Sequence, residues 1–168
     1  MKSIIRFICA AVAISLAFTS CDKDDKNESS EKTALEGKWV HAERDEYDNN
    51  GYADRVESFT FKGNTYILEC SETGRNPQGE LWGYGHKMTG TFTCTGSTFT
   101  IKVEKFYGFN NGDVQFDWHE YDDGTEGKSF TFSYQIEDGH SLGVTAPDEF
   151  ALGAGSYLGV DQAWYAKE

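Results

Sequence analysis

The sequence predicts an all-β protein, built as an antiparallel up-and-down meander that closes into a barrel of about eight or nine strands. Two observations support this fold class. Apolar and polar residues alternate with a period of two through most of the chain after residue 36, as in strands with one buried face. Short turn sequences of Gly, Asn and Asp separate these segments, and the residues between the aromatic ones are mostly Thr, Ser, Lys, Asp and Gln, which indicates an exterior in water.

The folded part is expected to begin with one helical turn, because residues 33–36 (Thr-Ala-Leu-Glu) have the spacing of a capping box. Gly37-Lys38-Trp39 then opens the first strand, which runs to about Glu46 and carries an indole that plugs one end of the barrel. An Asn-Gly pair within residues 48–51 ends this strand with the kind of turn that joins hairpins.

Eight further strands complete the predicted meander, and the last is expected to pair with the first. They lie at residues 55–62, 65–71, 83–95, 98–105, 113–121, 128–137, 141–145 and 157–166. Residues 72–82 are predicted as a long loop, residues 106–112 as a turn segment rich in rings, and residues 122–127 as an acidic loop.

Residues 1–20 have the layout of a secretory signal peptide. Lys2 and Arg6 supply positive charge, and the apolar run that follows is too short for a membrane span of ~20 residues. Residues 21–33 are predicted as a disordered acidic tether, since no large apolar side chain occurs in residues 22–33 to offset the loss of chain entropy. The barrel domain is then assigned to residues 34–168.

Phe18-Thr19-Ser20-Cys21 resembles the lipobox of bacterial lipoproteins, in which the Cys is acylated and becomes the new N-terminus. The resemblance implies that Cys21 carries acyl chains such as palmitate and that the lipid bilayer is a partner, each buried methylene contributing ~0.8 kcal/mol. Lys23-Asp24-Asp25 also resembles a signal that exports lipoproteins to the cell surface in some Gram-negative bacteria. The implied location is the outer membrane of a Gram-negative bacterium, with surface exposure and inner-leaflet display both open.

The charge of the mature chain argues against nucleic acid as a partner. Loss of residues 1–20 removes two of the 15 Lys and Arg residues and none of the 28 Asp and Glu residues, which leaves a net charge of −15. A chain this acidic is repelled by a duplex or an anionic membrane surface.

Two cysteines remain within the barrel domain. The predicted hairpin places Cys70 opposite about His86, and Cys94 lies eight residues further along that strand. This separation is far beyond the reach of a disulfide. Both are expected to be buried free thiols.

The helical turn, the Gly37-x-Trp39 motif, the first long loop and the meander together resemble the lipocalins, specifically the lipocalin-like domains of small bacterial lipoproteins, over about residues 33–168. In lipocalins an Arg near the last strand packs on the Trp, and Lys167 is the one candidate for that position here. The second lipocalin signature, a Thr-Asp-Tyr triplet, is not visible. The resemblance implies a small apolar or amphipathic ligand inside the barrel, with no catalytic residues and no cofactor.

The predicted lining of the barrel is rich in aromatic residues. The inward positions chosen as ligand-binding candidates are Trp39, Phe59, Phe61, Tyr66, Phe116, Trp118, Phe132 and Tyr134. Each ring buries ~150–250 Å², and an eight-stranded barrel holds either packed side chains or one small ligand. A filled core and a narrow aromatic pocket open at one end are both compatible with this list.

A second hypothesis uses aromatic residues in or beside the predicted loops. Trp82, Tyr84, Tyr107 and Phe109 are interleaved with Gly, Asn and Asp, a combination typical of surfaces that bind glycans or proteins. The alternative is that these rings fold back and cap the barrel.

One segment has the spacing of a Ca²⁺ loop, with oxygen ligands at Glu46, Asp48, Asn50, Asp54 and Glu57 around Gly51. Strands are predicted on both sides where a Ca²⁺ loop has helices, so a solvated hairpin is favoured and no metal is predicted. Nucleophile-elbow, phosphate-loop and dinucleotide motifs are missing, and no pair among the many carboxylates is singled out. A membrane-anchored, non-enzymatic binding protein without a cofactor is therefore the leading hypothesis.

Overall fold

The computed structural model of the chain describes residues 32–47, 51–110, 117–150, 152, 156–158 and 162–168. The predicted signal peptide, the predicted acylation site Cys21 and most of the predicted tether lie outside the described residues. No helix within these ranges is both long enough and apolar enough to cross a membrane.

The described residues form a closed antiparallel barrel of eight strands with one additional strand, which confirms the predicted all-β meander. The strands are β1 (Gly37–Tyr47), β2 (Gly51–Lys62), β3 (Thr65–Arg75), β4 (Leu81–Thr95), β5 (Thr98–Phe109), β6 (His119–Glu120), β7 (Ser129–Glu137), β8 (Ser141–Thr145) and β9 (Ala163–Lys167). Each barrel strand pairs with the next along the chain, and β9 pairs with β1 as predicted. Strand β6 is the additional strand, and it pairs with the part of β5 that follows the segment paired with β7.

The strands that flank the first long loop extend further than predicted. Most of the predicted loop at residues 72–82 is strand, because β3 runs to Arg75 and β4 begins at Leu81. The true loop is short and is closed by the side chain of Asn76, which accepts hydrogen bonds from the amides of Gln78 (3.1 Å) and Glu80 (2.9 Å). The predicted turn at residues 106–112 is also wrong over its first four residues, which belong to β5.

The strand predicted at residues 113–121 is not a full strand of the barrel in its described part. Within its described part only His119–Glu120 is strand, and both β6 and β7 pair with the same edge of β5. Lys102 of β5 pairs with Ser129, and Gly108, six residues further along β5, pairs with His119. The opposing segment of the same chain uses ten residues, from Ser129 back to His119, to cover this distance. The acidic loop at residues 122–127 therefore lies between two segments, β6 and β7, that pair with the same edge of β5. Phe116 lies outside the described residues.

The strand predicted at residues 157–166 begins later, at Ala163. Part of the segment before it is buried instead. Phe150 packs edge-on against Phe132 at a centroid distance of 4.8 Å, and Leu152 and Leu158 are buried with it. This connection between β8 and β9 contributes apolar side chains to the core.

One end of the barrel is closed by tight turns and by the predicted helical turn, which spans residues 32–35. Trp39 lies beneath it, fully buried, and its Nε1 donates a hydrogen bond to the carbonyl of Leu35 (2.8 Å). The Nζ of Lys167 lies 4.8 Å from the centroid of the Trp39 ring, which is a cation–π contact. Gly63-Asn64 and Gly96-Ser97 supply two of the turns at this end.

The half of the barrel next to this closed end is filled with rings. Phe59 contacts Phe61, Phe99, Phe132 and Tyr165 at centroid distances between 5.3 and 6.2 Å. All five side chains are buried, so this half is a packed core. Cys70, paired in register with His86, and Cys94 are buried free thiols, as predicted.

Candidate binding site at the open end of the barrel

The inner face of the sheet changes character towards the other end. On β1 to β4, most of the inward positions beyond the buried aromatic core are polar, and the alternation of β-strand side chains still points them inwards. They include His41 and Glu43 on β1, Arg55 and Glu57 on β2, Glu72 on β3, and Tyr84 and His86 on β4. We call this part of the molecule the open end.

Glu57 is fully buried at the boundary between the two halves. Its Oε2 accepts hydrogen bonds from the Ser156 hydroxyl (2.6 Å) and the Tyr157 amide (3.1 Å), and its Oε1 accepts one from the Tyr165 hydroxyl. Burial raises the pKa of Glu57 above its ordinary value, although these three donors and the nearby His41 oppose the shift. Glu57 therefore holds the connection between β8 and β9 against the inside of β2.

Arg55, Glu72 and Tyr84 form a second polar unit across three adjacent strands. Oε2 of the buried Glu72 accepts hydrogen bonds from Arg55 Nε (3.0 Å) and from the Tyr84 hydroxyl (2.5 Å). Burial, followed by the hydrogen bond to Glu72, raises the pKa of Tyr84 to about 12. Arg55 Nη1 also lies 3.5 Å from Oδ2 of Asp45, so its guanidinium is shared between two carboxylates.

Tyr157 completes the wall formed by β1. Its ring lies 4.0 Å from the imidazole of His41, centroid to centroid, and its hydroxyl donates to Oε2 of Glu43 (3.3 Å). His41 is held in turn by the Trp164 carbonyl, 2.6 Å from its Nδ1. The wall thus couples β1, β9 and the segment before β9.

One cavity at the open end has a volume of about 410 Å³. It is lined by Tyr84, Gly85, His86, Gly108, Phe109, Asn110, His119 and Tyr121. The Tyr121 hydroxyl lies 3.2 Å from His86 Nδ1, and the Tyr121 ring packs edge-on against Phe106. Burial lowers the pKa of His86, opposed by Asp123, so this imidazole is neutral at physiological pH.

A second cavity of about 310 Å³ lies on the other side of Tyr84 and is lined by Arg55, Glu72, Tyr84, Ser156 and Tyr157. Because Tyr84 borders both cavities, we treat them as two lobes of one site. The larger one, walled by Tyr84, Tyr121 and the backbone of β4 and β5, is the aromatic lobe. The smaller one is the polar lobe.

Most of the predicted interior residues lie in the filled half and line neither lobe. Trp39, Phe59, Phe61, Tyr66 and Phe132 are buried there. Tyr134 is half-buried, with its hydroxyl 3.2 Å from Cys94 Sγ. Trp118 does not point inwards: its ring packs on Phe109 and beneath Lys87, a residue whose position on β4 faces outwards.

The four predicted loop aromatics lie in strands, and the sheet separates them into two pairs. Trp82 and Tyr84 share the inward phase of β4 and stack on each other at 6.2 Å. Tyr107 and Phe109 share the outward phase of β5 beyond its bulge. Lys87 Nζ lies between the outer rings, 4.8 Å from that of Tyr107 and 4.6 Å from that of Trp118.

The residues with Ca²⁺-loop spacing do not converge where the structure describes them. Asp54 faces outwards, where both its oxygens accept hydrogen bonds from Arg44, while Glu57 points into the barrel. Asp48 and Asn50 lie outside the described residues. Among the described residues, no group of three or more His, Cys, Asp or Glu side chains could hold a metal ion.

The sequence reasoning missed the polar residues of the open end, although a signal was present. Glu57 precedes the buried Phe59 by two residues, Glu72 follows Cys70 by two, and His86 precedes Met88 by two. Extending each alternating pattern by one more step would have placed all three side chains inside the barrel.

The two-lobed site is the structural basis for a functional assignment. No protein-family model matches the sequence, and no curated protein matches it at a significant level.

Proposed function

We propose that this protein is a non-enzymatic, membrane-anchored lipoprotein that binds a small amphipathic ligand in the open end of its barrel. The observation that carries the proposal is the two-lobed cavity around Tyr84, at the one end of the barrel that the core rings leave unfilled. Volumes of about 410 and 310 Å³ fall in the range of small-molecule sites in proteins, roughly 300–1,000 Å³.

The chemistry of the lobes favours an amphipathic over a purely apolar ligand. Rings and backbone dominate the aromatic lobe, whereas Arg55 and Glu72 line the polar one. An apolar ligand filling both lobes would remove these charged groups from water without replacing their hydrogen bonds, which is costly. A ligand with one apolar and one polar part avoids that cost.

The lipocalin-like assignment is supported by the closed meander and by the contact of Lys167 with Trp39 at its closed end. In such a barrel the closed end is structural and the opposite end admits the ligand. The proposed site occupies that opposite end.

Membrane anchoring through Cys21 rests on the order of charge, apolar run and cysteine in residues 1–21. We infer display on the outer membrane of a Gram-negative bacterium. Metabolic labelling with a palmitate analogue tests the anchor: the full chain should be labelled and sediment with membranes, and Cys21→Ser should abolish both. Labelling that persists in Cys21→Ser would contradict the assignment.

Ligand binding is tested with N-phenyl-1-naphthylamine, an uncharged fluorescent probe with apolar rings and one N–H donor. Its emission should rise on addition of the protein, and Tyr84→Ala or Tyr121→Ala should weaken binding about tenfold or more, because each removes a wall of the cavity. Tyr107→Ala is the matched control, since Tyr107 sits on the outer face of β5. Equal loss in all three variants, or no response of the probe at all, would contradict the proposal.

A glycan- or protein-binding surface remains the second candidate, favoured by the outer pair of half-exposed rings, Tyr107 and Trp118, on either side of Lys87. It predicts the opposite result. Tyr107→Ala should then abolish retention on immobilised glycans, while Tyr84→Ala leaves retention unchanged.

A further inference from the structure

The hydroxyl groups around the polar lobe have already used their hydrogens. A hydroxyl carries one hydrogen, and each of these donates it to a carboxylate. The pairs are Tyr84 with Glu72, Ser156 with Glu57, Tyr157 with Glu43 and Tyr165 with Glu57. Tyr84, Ser156 and Tyr157 line the lobe, and their oxygens can offer an incoming molecule only lone pairs, so they meet a ligand as acceptors.

Glu72 adds to this surplus of acceptors. Both of its hydrogen bonds, from Arg55 and Tyr84, end on Oε2, and Oε1 accepts none from the residues that the structure describes. Glu72 lines the polar lobe, and its Oε1 is not among the fully enclosed atoms that lack a partner. This oxygen can therefore accept a hydrogen bond from a donor on a ligand in the lobe.

The positive charge of Arg55 does not outweigh the negative charges around the polar lobe. It is the only cation among the described residues that line the polar lobe, and Glu72 and Asp45 both contact its guanidinium. The carboxylates of Glu43 and Glu57 lie behind the hydroxyls of Tyr157 and Ser156. Even with Glu57 protonated, the acidic groups outnumber the basic one.

The aromatic lobe supplies the complementary half. Two tyrosine rings, those of Tyr84 and Tyr121, border it, and Tyr84 also borders the polar lobe. The face of a tyrosine ring attracts a cation and accepts the flat side of an apolar group. One molecule can therefore place a ring in the aromatic lobe and a positive donor beside Tyr84 and Glu72.

We infer that the ligand of this site is an organic cation, an arylalkyl amine or related ammonium compound whose charged donor lies against Glu72 in the polar lobe. This inference rests on the proposed function, since it names the chemistry of the molecule held in the same cavity. An anionic amphipath is disfavoured by the same groups.

Three probes that share a phenyl ring separate charge from shape: 2-phenylethylamine is a cation, 2-phenylethanol is neutral and 3-phenylpropionate is an anion. Titration calorimetry on the full chain at neutral pH should show the amine binding about tenfold or more tightly than the alcohol, as expected for a charge-assisted hydrogen bond in a partly buried site. The carboxylate should bind more weakly than the alcohol. Added salt should weaken the amine selectively.

Glu72→Gln should remove the preference by weakening the amine about tenfold while leaving the alcohol unchanged. Arg55→Gln should act in the opposite direction and strengthen the amine, because it deletes the competing cation. Glu69→Gln is the matched control, since Glu69 lies on the outward phase of the same strand. Thermal unfolding of each variant verifies that it is folded.

Two results overturn the inference in different ways. If the alcohol and the amine bind equally, the cavity is a binding site without a preference for cations, and the proposed function survives. If neither the phenyl probes nor N-phenyl-1-naphthylamine bind, the proposed function fails and the inference fails with it.

Discussion

Tyr165 and Glu57 meet inside the barrel, where the phenol hydroxyl donates a hydrogen bond to the carboxylate although the residues are 108 positions apart in sequence. Their strands, β9 and β2, are not neighbours, because β1 lies between them. The bond therefore spans the interior across a strand. It joins the packed core to the open end, and both groups are buried.

Replacing Glu57 by Gln should change how stability depends on pH. Burial raises the pKa of Glu57 in the folded state above its ordinary 4.5, so the contribution of this group is fully present below 4.5 and is lost as pH rises through the folded-state pKa. Gln keeps the shape and cannot ionise. We expect Glu57→Gln to unfold at equal or higher urea concentration than the wild type at neutral pH, with the difference vanishing towards about pH 4.

Glu69→Gln is an outward change on β3 and serves as the control. It should show no stability difference from the wild type that shrinks as pH falls. A wild type that is more stable than Glu57→Gln at neutral pH and loses this advantage as pH falls would mean that the carboxylate is stabilised in the fold, contrary to the direction of its pKa shift.

Tyr165→Phe should destabilise the protein by about 1–3 kcal/mol, since it leaves Oε1 of a buried carboxylate without a donor. The pKa of Glu57 should rise further, so the loss should be smaller in acid, where Glu57 is protonated. In the Glu57→Gln background the same change should cost less, because the uncompensated charge is gone. Equal losses in both backgrounds, measured by urea unfolding, would show that the two residues are not coupled.

The sequence predicted the barrel because one face of nearly every strand is buried, and such burial imposes a period of two. It did not predict where several strands end, since glycines at those ends look like loop residues. Gly74 pairs with Trp82 and leaves room for its indole: a Cβ on Gly74 would lie 2.7 Å from the ring. Gly108 does the same for Tyr121, at 2.6 Å.

The open end was harder to predict for a different reason. An acidic residue near a turn is normally in water, and only its partners show otherwise. The partners of Glu57 are Ser156 and Tyr165, roughly a hundred residues away in sequence. Local alternation could have indicated which way Glu57 points, but the donors that make its burial tolerable depend on how the barrel closes.

Gly90→Ala should be among the most damaging single substitutions in the barrel. A Cβ at this position would lie 2.0 Å from the carbonyl oxygen of Lys102 and 3.0 Å from the amide nitrogen of Glu104, next to the bulge between β4 and β5. These are backbone atoms and cannot rotate away. We expect a loss of about 2 kcal/mol or more in urea unfolding, whereas Thr89→Ala, on the opposite face of β4, should change stability by less than about 1 kcal/mol.

Cys70 and Cys94 should resist alkylation in the folded protein. Both are buried, and burial, with a smaller contribution from the charge of Glu57, raises the pKa of Cys70 to about 12, so almost no reactive thiolate forms at neutral pH. Peptide mapping after iodoacetamide treatment should find both residues unmodified in the native chain and modified in guanidinium chloride. Rapid labelling of Cys70 without denaturant would show that the core opens far more easily than its packing implies.

The stabilising contribution of Lys167 should be retained by Arg and lost with an uncharged side chain. Its ammonium lies 4.8 Å from the centroid of the Trp39 ring, and its Cε lies so close to Gly37 that a Cβ there would be 3.2 Å away. Lys167→Met keeps much of the aliphatic packing and deletes the charge, so it should cost about 0.5–1 kcal/mol, the size of a partly exposed cation–π contact. Lys167→Arg should retain or exceed wild-type stability, because a guanidinium stacks on an aromatic face. Thermal unfolding of both variants tests this: if the Met and Arg variants are equally stable, the charge of Lys167 contributes nothing to stability at the closed end.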